Sequence, residues 1–226
     1  MTSPPSSEGK VRANKWAVLK QHRSIPHSLR RLYHLTMGLA CFSLYAWLID
    51  RETACWLLAL LGGPFLLLDI LRLQIPGFQK ITLQYFGPLM RRNELLGLTG
   101  NSFFILGLFT VVFFFSKPIA LLSVLYLAIG DPVASYIGTR FGKRKIIGSK
   151  SLEGAAANFF ASALATAWFV EGYMGYAGNA TVTIALIGGL VSTLAELVPF
   201  PVDDNFSVPV LSALQLTLVD RLFNFF

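Results

Sequence analysis

Charge is what this sequence has least of. Asp, Glu, Lys and Arg make up 14% of its 226 residues, where a soluble domain carries about 25%. That deficit excludes a water-soluble core wrapped in an ordinary polar surface. Cysteine is nearly absent. Cys41 and Cys55 fall in or beside apolar segments, so there is neither a disulfide framework nor a metal-binding spacing, and both read as packing residues. A secretory leader is not expected, because residues 1–31 are polar and basic, with no apolar stretch ahead of a small-residue cleavage site. No repeat of fixed period is visible, and no convincing inverted repeat.

What abounds is apolar. Hydrophobic residues make up 54% of the chain and Phe occurs 19 times, often in runs such as Phe113-Phe114-Phe115. Stretches of this kind read as membrane spans. The expected fold is an all-α integral membrane protein with about seven transmembrane helices, near residues 32–49, 54–73, 102–116, 118–138, 154–170, 180–198 and 208–226. Gln74-Ile75-Pro76-Gly77-Phe78 breaks a helix, and the short apolar stretch 81–90 is expected to lie on the membrane, not across it. A polar basic tail, residues 1–28, disordered over about its first ten residues, precedes one multi-pass domain, residues 29–226. Gly154-Ala155-Ala156-Ala157 and Gly188-Gly189 permit close helix packing, read as packing within the chain.

The net charge is +7. In a soluble protein that would raise the question of nucleic acid. Here a bilayer explains it, and no nucleic-acid partner is expected. With the N-terminus cytoplasmic, sixteen of the nineteen Lys and Arg residues fall in the inside segments 1–31, 72–100, 140–153 and 199–207, as the bias of cytoplasmic loops requires. The same orientation brings the acids to one level. At about 1.5 Å per residue, Asp69 lies about 22 Å into the second span, Asp131 roughly 20 Å into the fourth and Glu196 roughly 24 Å into the sixth. Asp203 and Asp204 follow the sixth span, His34 with Arg30 and Arg31 opens the first, and Glu153 closes the basic loop at that level.

Charge inside a span is costly unless paired or hydrated, so each of these acids is a candidate functional residue. The competing reading is a structural ion pair. For Asp69 with Arg72, one turn on, the two readings stand level. The layer as a whole is harder to dismiss, because chance would spread intramembrane acids over both leaflets. Carboxylates mixed with Lys and Arg suit a magnesium–phosphate substrate: oxygen ligands hold the metal, and cations hold phosphate and stabilise charge during transfer.

Between the fourth and fifth spans, residues 130–154 form a glycine-bearing basic segment. Gly130 and Pro132 weaken the helix around Asp131 and free backbone groups beside it. Gly138 and Gly142 let the backbone approach a ligand closely, and Lys143, Arg144, Lys145 and Lys150 supply positive charge. This is not a Walker A loop: three residues, not four, separate Gly138 from Gly142, and Arg144 stands where Ser or Thr belongs. Basic loops usually serve inside retention; the glycines and Asp131 favour phosphate binding.

Five segments in order carry a resemblance. They are Arg30-Arg31-Leu32-Tyr33-His34; Asp69-Ile70-Leu71-Arg72-Leu73 followed by Leu89-Met90-Arg91-Arg92-x-Glu94; Gly130-Asp131-x-x-Ala134-x-x-x-Gly138-x-x-x-Gly142; Lys150-Ser151-Leu152-Glu153-Gly154; and Glu196 followed by Asp203-Asp204-Asn205-Phe206-Ser207-Val208-Pro209. Together the chain resembles the CTP-dependent lipid kinases, namely the CTP-using diacylglycerol kinases, the dolichol kinases and the phytol kinases, relatives of the phosphatidate cytidylyltransferases. Arg31 stands where Lys is commoner, which keeps the charge but changes its geometry.

The resemblance implies transfer of the γ-phosphoryl of CTP, with Mg2+, to the hydroxyl of a membrane lipid, diacylglycerol first and a polyprenol, dolichol or phytol as alternatives. It implies that Asp131 is a metal ligand or the base. Lys143, Lys145 and Lys150 hold phosphates, with Gly138, Gly142, Ser151, Glu153 and Gly154 in the same nucleotide-binding segment, and Arg30 and Arg31 close the site. Asp203, Asp204 and Asn205 bind a second metal or the nucleotide, with Glu196 in support. His34, Asp69, Arg72 and Arg92 are supporting residues, and His34 is as readily structural as catalytic. The lipid is expected to arrive laterally, past residues 81–90. Two rivals remain. A phosphatidate cytidylyltransferase would use the same nucleotide but release pyrophosphate. A transporter would place its charges near the bilayer midplane, whereas the outer halves of these spans lack them except near the ends.

Overall fold

The structure, a computed structural model, describes residues 27–226. The expected polar tail falls almost wholly outside the described residues, as does the side chain of Arg30. Eight helices form the described chain. α1 (His27–Ser43) runs on as a π-helical turn, Leu44–Leu48. α2 (Arg51–Gln74) follows Asp50, whose carboxylate accepts the Thr53 N–H at 2.8 Å as a helix cap. Ile75 precedes a proline and is extended, which ends α2; Pro76 then starts α3 (Pro76–Phe86). After a 3-10 turn, Gly87–Leu89, and an irregular stretch comes α4 (Gly100–Phe114), capped by Thr99. The remaining helices are α5 (Lys117–Arg140), α6 (Leu152–Gly172), α7 (Asn179–Leu197) and α8 (Asp204–Phe223).

Four of these helices, α2, α5, α7 and α8, are long and apolar enough to cross a membrane, and α4 is a shorter apolar helix. The outward faces are apolar: Leu61 on α2, Leu164 on α6 and Leu222 on α8 are each more than 70% exposed, which suits acyl chains and not water. All seven stretches expected to span are helical. The stretch 81–90, expected to lie along the surface, falls in the separate short helix α3 and the 3-10 turn after it.

The helices are not equivalent. The apolar window of α5 is 72% buried against 17% for α2, so α5 is the central shaft and α2 lies at the edge. Residues 119–128 of α5 are almost all inaccessible. α6 and α7 approach closely through small residues: a Cβ on Gly189 would meet the Phe159 carbonyl oxygen at 2.7 Å and the Ala163 Cβ at 3.0 Å. At the end of the bundle away from the basic loop, Arg51 donates from Nε to the Val112 carbonyl at 2.8 Å and from Nη2 to the carbonyls of Phe113 and Phe115. Lys117 Nζ donates to the Ile49 carbonyl at 3.3 Å. Two cations outside the basic layer thus satisfy open carbonyls at helix C-termini.

Two features depart from the all-α expectation. The basic segment folds as a small hairpin, β1 (Lys145–Ile147) antiparallel to β2 (Lys150–Ser151). Ile146 and Ile147 favour extended backbone, and Gly148, at a φ of +56°, makes the tight turn. In α5, the stretch Tyr126–Gly130 widens into a π-helical turn immediately before Asp131. Pro132 has no N–H to return to an earlier carbonyl, and the wider turn absorbs that loss.

Candidate active site

The hairpin, the C-terminal end of α7 and the N-terminal end of α8 meet at one ammonium group. Lys150 Nζ lies 3.8 Å from Glu196 Oε1 and 3.7 Å from Asp204 Oδ2, and also donates to the Glu196 main-chain carbonyl. Glu196 is buried and its Oε2 has no hydrogen-bond partner. Asp131, half-buried at the foot of the π-turn, lies in the electrostatic field of Asp204, Glu196, Lys150 and Arg91. Glu196 and Asp204, from two helices, therefore share one lysine, and Asp131 on a third helix lies in the field of all three. The neighbouring Asp203 caps α8 by accepting the Asn205 N–H at 3.0 Å, and its other oxygen takes Arg91 Nη1 at 3.2 Å.

A buried polar patch backs this cluster. Asn158 Oδ1 accepts from Ser162 at 2.9 Å and from Ser192 at 2.8 Å, and the two serines are 2.8 Å apart. All three crowd Gly130, where a Cβ would meet Asn158 Oδ1 and Ser162 Oγ at 2.6 Å. Gly130 thus lets the π-turn sit against the patch and sets the height of Asp131.

α1 contributes Arg31. Its Nε donates to Ser135 Oγ at 3.1 Å, and its Nη2 to the Ser135 carbonyl at 3.1 Å and Thr139 Oγ1 at 2.9 Å. Ser135 is one helical turn after Asp131, on the same face, so Arg31 is clamped beside the acid. Lys143 and Lys145 are exposed on the hairpin, where Lys145 Nζ donates to the Ser149 carbonyl at 2.8 Å. The Glu153 carboxylate accepts from the Arg144 N–H at 3.3 Å. Its own amide, then those of Lys143 and Arg144, hold it below the usual carboxylate range.

Several predicted residues have structural tasks here. A Cβ on Gly142 would collide with the Gly138 carbonyl and lie 2.5 Å from Ser151 Oγ, and one on Gly154 would lie 2.9 Å from the Ala134 carbonyl. The close approach these glycines permit is between the hairpin, α5 and α6. Ser151 is buried and caps α6 by accepting the Gly154 N–H at 3.1 Å. Asn205 is buried and donates to the Gly100 carbonyl at 3.1 Å, tying α8 to α4.

Asp69 and Arg72 form a buried ion pair at 2.6 Å that organises the segment before α4. Asp69 Oδ2 accepts from the Thr99 N–H at 2.8 Å and from the hydroxyls of Thr99 and Ser102; Arg72 Nη2 donates to the carbonyls of Glu94 at 3.0 Å and Gly97 at 2.7 Å. The layer of acids therefore divides in two. Asp131, Glu196, Asp203 and Asp204 converge, whereas Asp69 bonds within its own network. His34 is half-buried and packs edge-on against Tyr33, with ring centroids 5.7 Å apart. Arg92 is exposed; its neighbour Arg91 is the one that reaches Asp203. Sequence reasoning missed Arg91, although Arg91-Arg92 stood in a quoted segment, and it missed the Asn158 patch. Its signal was Asn158, Ser162 and Thr166 recurring every four residues in an apolar span, a polar stripe at helical spacing.

Among the described residues, no three His, Cys, Asp or Glu side chains are grouped to hold a metal as they stand. The donor chemistry nonetheless fits a hard divalent cation: Asp131, Glu196 and Asp204 offer oxygens, and one buried oxygen, Glu196 Oε2, has no partner.

No model of a known protein family matches the chain, and no solved structure matches it. Curated relatives do. The chain is 30% identical to the CTP-dependent diacylglycerol kinase 1 of Saccharomyces cerevisiae, over 97% of its own length and 81% of that protein's. It is 33% identical to the protein of the same name from Eremothecium gossypii, over 82% and 64% of the respective chains. A chloroplastic farnesol kinase of Arabidopsis thaliana is 28% identical over 82% of this chain and 63% of its own.

Proposed function

Since the chain belongs to the CTP-dependent diacylglycerol kinase family, we propose that it moves the γ-phosphoryl group of CTP onto the hydroxyl of diacylglycerol, at the cluster around Asp131 and Lys150. The lipid oxygen attacks the γ-phosphorus, the bond from that phosphorus to the β-phosphate bridging oxygen breaks, and CDP leaves. The hydroxyl proton passes to a carboxylate, and the product is phosphatidate.

One observation carries the assignment of the site. Lys150 is held by Glu196 and Asp204 from two helices, and Asp131 on a third lies within its electrostatic field. Phosphoryl transfer demands positioning and charge neutralisation more than covalent chemistry from the protein. Asp131 accepts the hydroxyl proton. Lys150, with Lys143 and Lys145 on the hairpin and Arg30 and Arg31 from α1, holds the phosphates. Asp131, Glu196 and Asp204 would supply oxygens to hold Mg2+, with Asp203 beside them as a further donor. When bound, Mg2+ supplies charge neutralisation at the triphosphate. Asn205, Ser151, Gly138, Gly142, Glu153 and Gly154 keep these groups in register.

The chain crosses the bilayer seven times as one domain, with α3 along the surface and the basic layer in the cytoplasm, where CTP is. The distribution of Lys and Arg supports this orientation.

Purified protein in detergent or vesicles, given diacylglycerol with labelled CTP or ATP, tests the proposal. The expected products are phosphatidate and CDP, from CTP. Release of pyrophosphate identifies a cytidylyltransferase, and turnover with ATP alone contradicts the family reading.

A further inference from the structure

Arg91 reaches the acid layer from the irregular stretch between the 3-10 turn and α4. Its backbone is pinned. The Arg91 N–H donates to Glu94 Oε2 at 2.7 Å, and the Glu94 N–H donates to the Arg91 carbonyl at 3.0 Å. Glu94 Oε1 accepts the Gly100 N–H at 3.1 Å, which ties this turn to the start of α4. The side chain is held on one edge only. Nη1 donates to Asp203 at 3.2 Å, and Nε lies 3.7 Å from Glu94 Oε1. Nη2 makes no hydrogen bond among the described residues and is not buried, and the side chain is 35% exposed. A fixed guanidinium therefore turns an open N–H edge outward.

Its position says what that edge meets. On one side lie Asp203 and, within the field of Arg91, Asp131. On the other, Met90 and Glu94 line a cavity of about 760 Å³ between α1, α2, α3 and the start of α4. That size is in the range of roughly 300–1,000 Å³ usual for organic ligands. The cavity walls are mostly apolar, and their acids are already taken: Asp69 by Arg72 and the Thr99 N–H, Glu94 by Arg91 and the Gly100 N–H. The hydrocarbon of an acceptor lipid suits that side, and a nucleotide suits the side of Lys150 and the hairpin. Arg91 stands between them, where the transferred group changes hands. A guanidinium is permanently charged and planar, and its paired N–H groups match phosphoryl oxygens. Those oxygens carry the spread charge during transfer.

We propose that Arg91 binds the non-bridging oxygens of the γ-phosphoryl group through Nη2 while that group passes from CTP to the lipid hydroxyl. The bond from the γ-phosphorus to the β-phosphate bridging oxygen breaks, a bond to the lipid oxygen forms, and the hydroxyl proton goes to Asp131. The guanidinium stays on the phosphoryl oxygens throughout. The inference rests on the lipid kinase reading above and adds a catalytic residue to it. Glu94 and Asp203 are positioning residues that set the plane of the guanidinium.

The experiment measures binding of β,γ-methylene CTP and of CDP, each with Mg2+, to the full chain in detergent, for wild type and Arg91→Gln. Wild type is expected to prefer the triphosphate analogue by more than about tenfold. Arg91→Gln loses about that factor, the worth of one hydrogen bond from a charged donor, and keeps the wild-type affinity for CDP. Its kcat for phosphatidate formation from CTP falls at least about a hundredfold. An unchanged preference in Arg91→Gln overturns the contact. So does parallel weakening of both nucleotides, which would make Arg91 only a strut for Asp203. Wild-type protein supplies a second measurement that needs no substitution. Phenylglyoxal modification of Arg91, followed by peptide mass spectrometry, is expected to be slowed by the methylene analogue and not by CDP; equal protection by the two overturns the proposal. Wild type that binds neither nucleotide and forms no phosphatidate removes the kinase reading itself, and this contact with it.

Discussion

At Lys150 a single ammonium group serves carboxylates from two helices, and removing it leaves Glu196 buried with neighbouring acids and no cation. Breaking a buried pair by deleting one partner costs about 3–5 kcal/mol. Lys150 is partly exposed, so solvent screening reduces the expected loss to about 1–3 kcal/mol. Lys150→Met is therefore expected to lower the thermal unfolding temperature in detergent and to raise the KM for CTP, whereas Lys150→Arg restores most of the stability. An unchanged melting temperature and CTP dependence in Lys150→Met contradicts the bridge. Asp69→Asn has a different consequence. Arg72 loses its partner in a fully buried pair, so the expected cost is about 3–5 kcal/mol, read as loss of folded protein on size-exclusion chromatography. Any activity that survives in the folded fraction keeps the wild-type KM for CTP.

The elements show what the sequence revealed and what it hid. Seven stretches read as spans from apolar length are helices, because apolar runs of that length have few other stable forms in a bilayer. The break at Pro76 was equally plain, since proline stops a helix locally. The hairpin at Lys145–Ile147 and Lys150–Ser151 was hidden by the density of basic residues, which reads as loop. The π-turn at Tyr126–Gly130 was half visible: Gly130 and Pro132 flagged a weak point, but the contact that fixes its shape, the Asn158–Ser162–Ser192 patch, comes from two other helices. The glycines of the basic segment were legible as points of close approach, while the partner, Ser151 and α6 in place of a ligand, depends on tertiary packing. At this scale Gly189→Val is the informative change. A side chain at that position meets the Phe159 carbonyl at 2.7 Å, so overpacking is expected to cost about 1–3 kcal/mol. That cost appears as a lower unfolding temperature and reduced activity at unchanged lipid preference. Wild-type stability in Gly189→Val contradicts the close α6–α7 contact.

Across the whole molecule, a central shaft, α5, carries a polar layer at one end of the bundle. The cations divide accordingly. Arg51 and Lys117 close helix ends away from the layer, while Lys150 and Arg91 pair with its acids and Arg31 bonds to Ser135 on α5. A single cysteine introduced at Lys143, in a chain lacking Cys41 and Cys55, is expected to react with a membrane-impermeant maleimide only from the cytoplasmic side. One at Gly175 is expected to react only from the other side; the reverse pattern contradicts the orientation. Chelation of divalent cations is expected to stop turnover, with Mg2+ restoring it. Persistent activity in excess chelator would remove the metal from the account.

The convergence of acids on Asp131 is tested most directly by measuring transfer of label from γ-labelled CTP to diacylglycerol in vesicles containing Asp131→Asn. This variant keeps the shape of the side chain and loses its charge. The account predicts a protein that inserts and melts like wild type but transfers label at least about a hundredfold more slowly, the usual worth of a positioned base. Wild-type transfer by a folded Asp131→Asn protein would contradict it.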